Sequence, residues 1–348
     1  MSALRQGDRI NNYLLDGPLG KGSFGEVWSA KHHVFGDRVA IKVPTDPQYV
    51  RNLQREGVVV HGLKHPNIVR VLDLDPYATP PYLIMELVDG PTLRDAIDSL
   101  RGSFPIQSAV SIMRGILSAL SVAHDADLIH RDIKPANVLL SHPLADLGEI
   151  PEQAVKVTDF GLGKVGGNTT QSLMQSGSLL TEDGRSIAGT LAYMSPEQKE
   201  GLDVDPRSDL YACGIVLFEM LTGERPQGSD TPSMLRSDVP PHLDDVFTRA
   251  YTHKDRRFAS AREMLTALTP VEARPVFAEP ARPALGARRV DQHKCPACGA
   301  GVHRDDQFCI ACGSQLVASV PRCASCHAFV HVGDRFCIFC GNDLQVMA

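Results

Sequence analysis

Eight cysteines at a fixed beat constrain this chain more than any other feature. Of nine cysteines in 348 residues, eight fall between positions 295 and 340: Cys295, Cys298, Cys309, Cys312, Cys323, Cys326, Cys337 and Cys340. Two residues separate the members of each pair, and ten separate one pair from the next. A pair so spaced can place two thiolates on one tetrahedral Zn²⁺, and two pairs close the site. The opening stretch MSALRQGDRINNYLL has no apolar core, so no export signal is read. A cytoplasmic setting is therefore expected, where thiols stay reduced and clustered cysteines point to metal rather than disulfides. The tail holds too few apolar residues to fold by burial alone. Metal would contribute on the order of 10 kcal/mol or more per structural site.

Sequential closure and cross-bracing both fit the cysteine spacing. The residues between them break the tie. Residues 295–316 repeat 28 positions later, with Phe308 matching Phe336, Ile310 matching Ile338 and Leu316 matching Leu344. A repeat that carries its own apolar residues reads as a self-contained unit. Cys295, Cys298, Cys309 and Cys312 are thus expected to hold one Zn²⁺, and Cys323, Cys326, Cys337 and Cys340 the other. The pattern resembles a double zinc ribbon. His303, His327 and His331 are surplus as ligands. Four thiolates leave no open position, so both sites are expected to be structural. Residues 269–348 carry 8 basic and 7 acidic side chains. Each Zn(Cys)₄ adds about −2, which moves the tail to roughly −3 and disfavours nucleic acid. Protein docking is the expected role. Cys213, alone in an apolar run, reads as a buried small hydrophobe.

At about 150 residues per domain the length allows two or three domains. No run approaches 18 uninterrupted apolar residues, so no membrane span is expected. Residues 269–292 contain Pro270, Pro275, Pro280 and Pro283 and read as a linker. The tail then covers 293–346. Residues 1–268 hold 27 basic and 34 acidic side chains, which does not advertise a polyanion site.

Within residues 10–268, short β-rich runs come first: Tyr13–Leu15, Glu26–Ala30 and Arg38–Val43, then Ile68–Leu72 and Tyr82–Glu86. A helix-like stretch, Tyr49–Leu63, interrupts them. Beyond Asp89 the spacing turns helical at Leu93–Leu100, Ile106–Asp125 and Asp209–Leu221. The expectation is an α+β, bilobal chain, with a small β-rich lobe over about 10–88 and a helical lobe over about 89–268.

Four short segments carry chemistry. Gly20-Lys21-Gly22-Ser23-Phe24-Gly25 runs into a second strand rather than a helix, which argues against a dinucleotide fingerprint. A glycine-rich hairpin can instead fold over polyphosphate. Val39-Ala40-Ile41-Lys42 supplies a strand lysine, and Glu56, 14 residues on, could pair with it. His130-Arg131-Asp132-Ile133-Lys134-Pro135-Ala136-Asn137 and Asp159-Phe160-Gly161 complete the set. Phosphoryl transfer to a hydroxyl needs a carboxylate to orient that hydroxyl, oxygen ligands for Mg²⁺, and cations for the γ-oxygens. Asp132, Asn137, Asp159, Lys134 and Lys42 supply these.

In that order the segments resemble the eukaryotic-like Ser/Thr protein kinases. The likeness extends through Gly189-Thr190-Leu191-Ala192-Tyr193-Met194-Ser195-Pro196-Glu197, with Ser195 where alanine is usual, and through Asp209 and Arg257. It implies that Lys42 meets the α- and β-phosphates and pairs with Glu56. Asp132 would be the base, Lys134 would steady the γ-phosphate, and Asn137 and Asp159 would hold Mg²⁺ or Mn²⁺. Met85 would be the gatekeeper, and the backbone of Glu86 and Val88 would bind adenine. Val27, Ala40 and Leu139 would line the ATP site with the glycine-rich hairpin. Arg257 would tie to Glu197. Protein substrates, with Ser/Thr hydroxyls, are implied. The competing reading, a silent scaffold on the same fold, lacks a missing catalytic residue to motivate it.

Two regulatory expectations follow. Arg131 would bind a phosphorylated segment between Gly161 and Thr190, with Thr181 and Ser186 the leading sites. Gly57-Val58-Val59-Val60 makes the Glu56 helix intrinsically poor. Either burial of the three valines fixes it, or it tightens when Lys42 pairs with Glu56. Residues 141–154 read as a surface excursion.

Overall fold

The computed structural model describes residues 4–22, 25–44, 47–100, 104–143, 148–160, 191–269, 293–302, 309, 311–316, 322–327, 330, 335–337, 340 and 342–344. For Gly22, Pro47, Gln48, Asn52, Arg55 and Glu56 only the backbone is described. Residues 161–190 and 270–292, and with them Thr181, Ser186 and the expected linker, lie outside the described residues. The chain divides into two compact units, 1–271 and 272–348.

The first unit opens with a six-stranded antiparallel sheet. Its strands are β1 (Arg9–Ile10), β2 (Tyr13–Gly22), β3 (Gly25–His32), β4 (Arg38–Pro44), β5 (Val71–Asp75) and β6 (Tyr82–Glu86), in the order β1-β2-β3-β4-β6-β5. Period-two alternation explains the register. Leu15, Trp28, Ala30, Val39, Ile41 and Ile84 form one buried face, whereas Ala40, Leu83 and Met85 join the larger core on the other.

Helix α1 (Pro47–Gly62) packs on that second face. Its buried stripe is Tyr49, Leu53, Gly57 and Val60, spaced three to four apart, with Gly57 against the side chain of Leu74. The expectation that three valines bury is corrected: Val58 is 82% exposed and Val59 39%, because each successive residue turns about 100° round the helix. A second correction concerns β5, which begins at Val71 rather than Ile68. Residues 67–69 are drawn instead to β8 (Val155–Val157): Val157 N–H donates to the Asn67 carbonyl at 2.8 Å and Val69 N–H to the Val157 carbonyl at 2.9 Å. Asn67 Nδ2 adds bonds to the carbonyls of Glu152 (2.6 Å) and Val155 (2.9 Å).

The helical part is built on α2 (Leu93–Leu100), α3 (Ile106–Asp125), α4 (Pro196–Glu200) and α5 (Arg207–Thr222). It is completed by α6 (Pro232–Leu235), α7 (Pro241–Ala250) and α8 (Ala261–Ala267). Helix α5 buries 14 of its 16 residues and is the axis of the lobe. Helix α3 is long and apolar enough, by length and composition only, to cross a bilayer, but it buries Ile112, Ile116, Leu117 and Leu120 in this core. Each such side chain contributes about 1.5–3 kcal/mol. A two-stranded ribbon, β7 (Val138–Leu140) with β8, lies under the strand-rich lobe. The 141–154 excursion is only partly superficial. Ile150 and Ala154 belong to the core, and residues 144–147 lie outside the described set.

The segment after β6 passes close over β7. Leu140 N–H donates to the Pro91 carbonyl at 2.9 Å, and a Cβ on Gly90 would stand 1.9 Å from the Leu140 carbonyl oxygen. Glycine is the residue that permits this approach.

The second unit has two small centres. Strand β9 (His293–Lys294) pairs antiparallel with β10 (Gly301–Val302). Cys295, Val302 and Cys309 are buried with Leu316 against them; Cys323, Val330 and Cys337 are buried with Leu344. Val302 and Val330, 28 positions apart, occupy matching places in the two centres. Phe336 is half-exposed under the Arg335 guanidinium, 5.2 Å from its centroid, and Phe308 lies outside the described residues.

Candidate active site and metal centres

The hairpin β2–β3 presents the glycine-rich turn, with Gly22 facing Gly25. Gly25 adopts φ +148°, and a Cβ there would meet the Val43 carbonyl at 2.3 Å, so this glycine is dictated by β4 beneath it. A Cβ on Gly20 would meet nothing within 4 Å, which leaves room on that face. Lys21 pairs with Glu26 at 3.2 Å. Ser23 and Phe24 lie outside the described residues.

Lys42 sits mid-strand in β4, opposite Val27 on β3 and Leu83 on β6. It is nearly buried, yet charged, so it needs partners. Its Nζ lies 2.7 Å from Asp159 Oδ1 and 4.6 Å from the centroid of the Tyr49 ring on α1. Burial would raise the Asp159 carboxyl; Lys42, through charge and hydrogen bond, with His130 and Lys134 adding, outweighs it and holds the group below its ordinary value. The side chain of Glu56, the expected partner of Lys42, is not among those described.

A carboxylate on α5 organises the loop that carries Asp132. Asp209 accepts the N–H groups of His130 (2.9 Å) and Arg131 (2.8 Å), and His124 Nε2 at 2.8 Å. Arg131 takes a left-handed φ of 65°, as does Asp159 at 64°. For non-glycine residues this costs energy and is held by the surrounding bonds. His130 Nε2 lies 2.8 Å from the Thr158 carbonyl, which can only accept, so this nitrogen carries the proton. Its Nδ1 then accepts the Asp132 N–H at 3.2 Å. The imidazole thus couples the Asp132 loop to the strand that delivers Asp159.

Asp132 gathers its neighbours. Lys134 Nζ reaches its carboxylate oxygens at 2.8 and 3.1 Å. Asn137 Nδ2 donates to the Asp132 carbonyl (2.8 Å) and to Oδ2 (3.1 Å). With its amide nitrogen committed, Asn137 has its side-chain carbonyl left for a cation. Asp159 adds carboxylate oxygens, and hard oxygen donors of this kind suit Mg²⁺. Ala40 and Met85 lie in the core, with Val27, Val88 and Leu139 packed against it.

Glu197, at the start of α4, is gripped by Arg257: NH1 to Oε1 is 2.6 Å and NH2 to Oε2 is 2.9 Å, with Ser208 Oγ donating at 2.6 Å. Burial pushes the Glu197 carboxyl up, but these bonds pull it down to about 2. Ser195 caps α4. Its Oγ accepts the Gln198 N–H, and Gln198 Oε1 accepts the Ser195 N–H. Serine at that position therefore has a local reason. Gln198 Nε2 also holds the Arg131 carbonyl at 2.8 Å.

In the tail, Cys295 and Cys312 Sγ atoms lie 3.7 Å apart, and Cys298 and Cys309 3.6 Å; Cys323–Cys340 and Cys326–Cys337 are each 3.6 Å. These are not disulfide lengths, which are about 2.05 Å. A tetrahedron with metal–sulfur bonds of about 2.3 Å has edges of about 3.8 Å. Both quartets fit that figure, and in each all four sulfurs lie within 4.8 Å of one another. The grouping is sequential, not cross-braced. In each pair the first cysteine is buried and the second exposed. Backbone N–H donors at Cys326 and Ser325 help bring the Cys323 thiol down to about 7. His327 is described and stands outside the quartet; His303 and His331 are not described.

A strand-rich lobe over a helical lobe, with these charged groups between, defines a protein kinase domain. The protein kinase domain family matches residues 13–269 and the double zinc ribbon family residues 295–341. This chain belongs to the protein kinase family. It is 36% identical over 279 residues to the serine/threonine-protein kinase PknB of Mycolicibacterium smegmatis, which covers 73% of this chain and 42% of that protein. It is 33% identical over 321 residues to a probable serine/threonine-protein kinase of Streptomyces coelicolor, covering 85% and 44%. The chain thus spans under half the length of these relatives. Among solved structures, the PknI kinase domain of Mycobacterium tuberculosis aligns over 76% of this chain and 98% of that domain, with a TM-score of 0.59 and 28% identity.

Sequence reasoning missed Tyr49, Asn67 and Lys156. Lys156 had a legible signal, a lone charge between two valines.

Proposed function

We propose that this chain transfers the γ-phosphoryl group of ATP, with Mg²⁺ or Mn²⁺, to Ser/Thr hydroxyls of proteins, in the cytoplasm. The observation that carries this is the pairing of Lys42 with Asp159 close to the cluster of Asp132, Lys134 and Asn137. Lys42 would neutralise α- and β-phosphate oxygens, with Glu56 as a second anchor. Asp159 and Asn137 would hold the cation, which supplies charge neutralisation at the phosphates. Asp132 would orient the acceptor hydroxyl and take its proton, and Lys134 would screen the γ-oxygens. Adenine would lie between Ala40, Val27 and Leu139 under Gly20–Gly25, bonded to the backbone of Glu86 and Val88, with Met85 behind. Both relatives are named serine/threonine-protein kinases, which supports Ser/Thr acceptors.

The cysteine quartets would each hold a structural Zn²⁺, and the tail would dock protein partners, raising local substrate concentration without touching the chemistry. Thr181 and Ser186 would be autophosphorylation sites read by Arg131. Labelled γ-phosphate from ATP should enter a protein substrate and be lost in Asp132→Asn. A metal-replete chain that binds ATP but transfers nothing overturns the kinase reading. Mass spectrometry after incubation with ATP, against Asp159→Asn, checks the two loop sites.

A further inference from the structure

Lys156 lies on β8 between Val155 and Val157, both fully buried. It faces Leu139 across the β7–β8 register, and facing residues of an antiparallel pair project to the same side. Its ammonium therefore emerges beside the side chain proposed to floor the adenine slot. From there it reaches Glu86, with Nζ 2.7 Å from Oε1. The same oxygen accepts the Arg70 N–H at 3.0 Å, and the Glu86 N–H donates to the Arg70 carbonyl at 2.9 Å.

Glu86 is thus held from two sides. Arg70 belongs to the approach to β5 in the sheet. Lys156 belongs to the ribbon below, three residues before Asp159. The side chains are 20% and 31% exposed, so solvent and salt screen them less than a fully exposed pair. Nothing in the roles assigned above uses either charge; Glu86 entered through its backbone alone. A peptide fixed before the ligand arrives loses less freedom on binding.

We infer that Lys156 is a positioning residue for the nucleotide. Through the Glu86 side chain it fixes the peptide that faces adenine, and so sets affinity for ATP rather than the rate of transfer. This rests on the nucleotide reading above. The test is made on the full chain with a fluorescent ATP analogue and Mg²⁺ for affinity, and with casein as acceptor for turnover. Lys156→Met should raise both the analogue Kd and the KM for ATP about fivefold, the factor corresponding to about 1 kcal/mol, with kcat within about twofold. Lys156→Arg should restore affinity. Glu86→Gln should match Lys156→Met, and the double variant should be no worse than either.

Unchanged Kd in Lys156→Met, loss of kcat at constant KM, or an Arg variant as weak as the Met variant would each overturn the inference. Should Lys156→Met not melt cooperatively, Glu86→Gln against the unsubstituted chain decides by the same readouts. An unsubstituted chain that binds the analogue yet phosphorylates nothing defeats the kinase reading, while the Kd comparison still judges Lys156.

Discussion

The two units assemble their working groups in opposite ways. Lys42 and Asp159 are 117 positions apart and meet at 2.7 Å, whereas Cys295 and Cys312 are 17 apart and meet at 3.7 Å. Bringing distant residues together has an entropic cost that a large core must offset. The first unit has that core, centred on α3 and α5. Among the described residues the tail buries only a few side chains per centre, which is what a fold ordered by a bound ligand would show. Chemistry can thus be placed by folding a long chain or by clipping a short one, and a chelator should undo only the second.

That contrast is most exposed to failure at the metals. Metal analysis should return two zinc ions per chain. A zinc-selective chelator, followed by excess Mg²⁺, should unfold residues 293–344 and forfeit on the order of 10 kcal/mol per site, with the first unit melting as before. Proteolysis confined to the tail would show this; a shifted melt of the first unit would break the comparison. In the first unit, the largest functional effect should come from Asp132→Asn, a fall in kcat of about 10²–10⁴-fold without loss of folding.

Next comes the buried ion pair. Arg257→Met leaves Glu197 charged and unpaired and should cost about 3–5 kcal/mol, read as a fall in the melting temperature of about 10 °C. The folded Glu197 carboxyl titrates at about 2 against an ordinary 4.5. Its contribution is therefore complete above pH 4.5 and is lost as pH falls toward 2. Acid titration of Glu197→Gln should show a flatter decline across that window than the unsubstituted chain. Gly25→Ala should cost about 1–3 kcal/mol through its backbone conformation and the Val43 carbonyl. The smallest effect belongs to Asp89→Asn. It removes the 3.4 Å pair with Arg38, both half-exposed or more, and should shift stability by about 0.2–0.5 kcal/mol.

Much of this was legible beforehand because local rules and global packing agree. Strands β3, β4 and β6 and helices α2 and α3 follow from periodicity. The 28-residue repeat separated the two quartets. What escaped was set by tertiary contact. Ile68 and Val69 have strand-forming side chains, but the segment bonds to β8, with Val157 88 positions beyond Val69. The α1 stripe includes Gly57, which composition counts as a weakness and which packs against the side chain of Leu74. Phe336 carries a large apolar ring and is half-exposed, yet the smaller Val330 is buried, since a centre built on four sulfurs has little space to fill. The short helices α4, α6, α7 and α8 begin at or beside prolines and serine caps, signals that are plain only once their ends are known.

Gly90 carries one more consequence. A methyl group there would overlap the Leu140 carbonyl, so no other amino acid can occupy the position without prising the crossing chain away from the ribbon beneath. The crossing chain is therefore seated on the ribbon backbone to backbone, and even the smallest side chain there would lift the segment that follows β6 off β7.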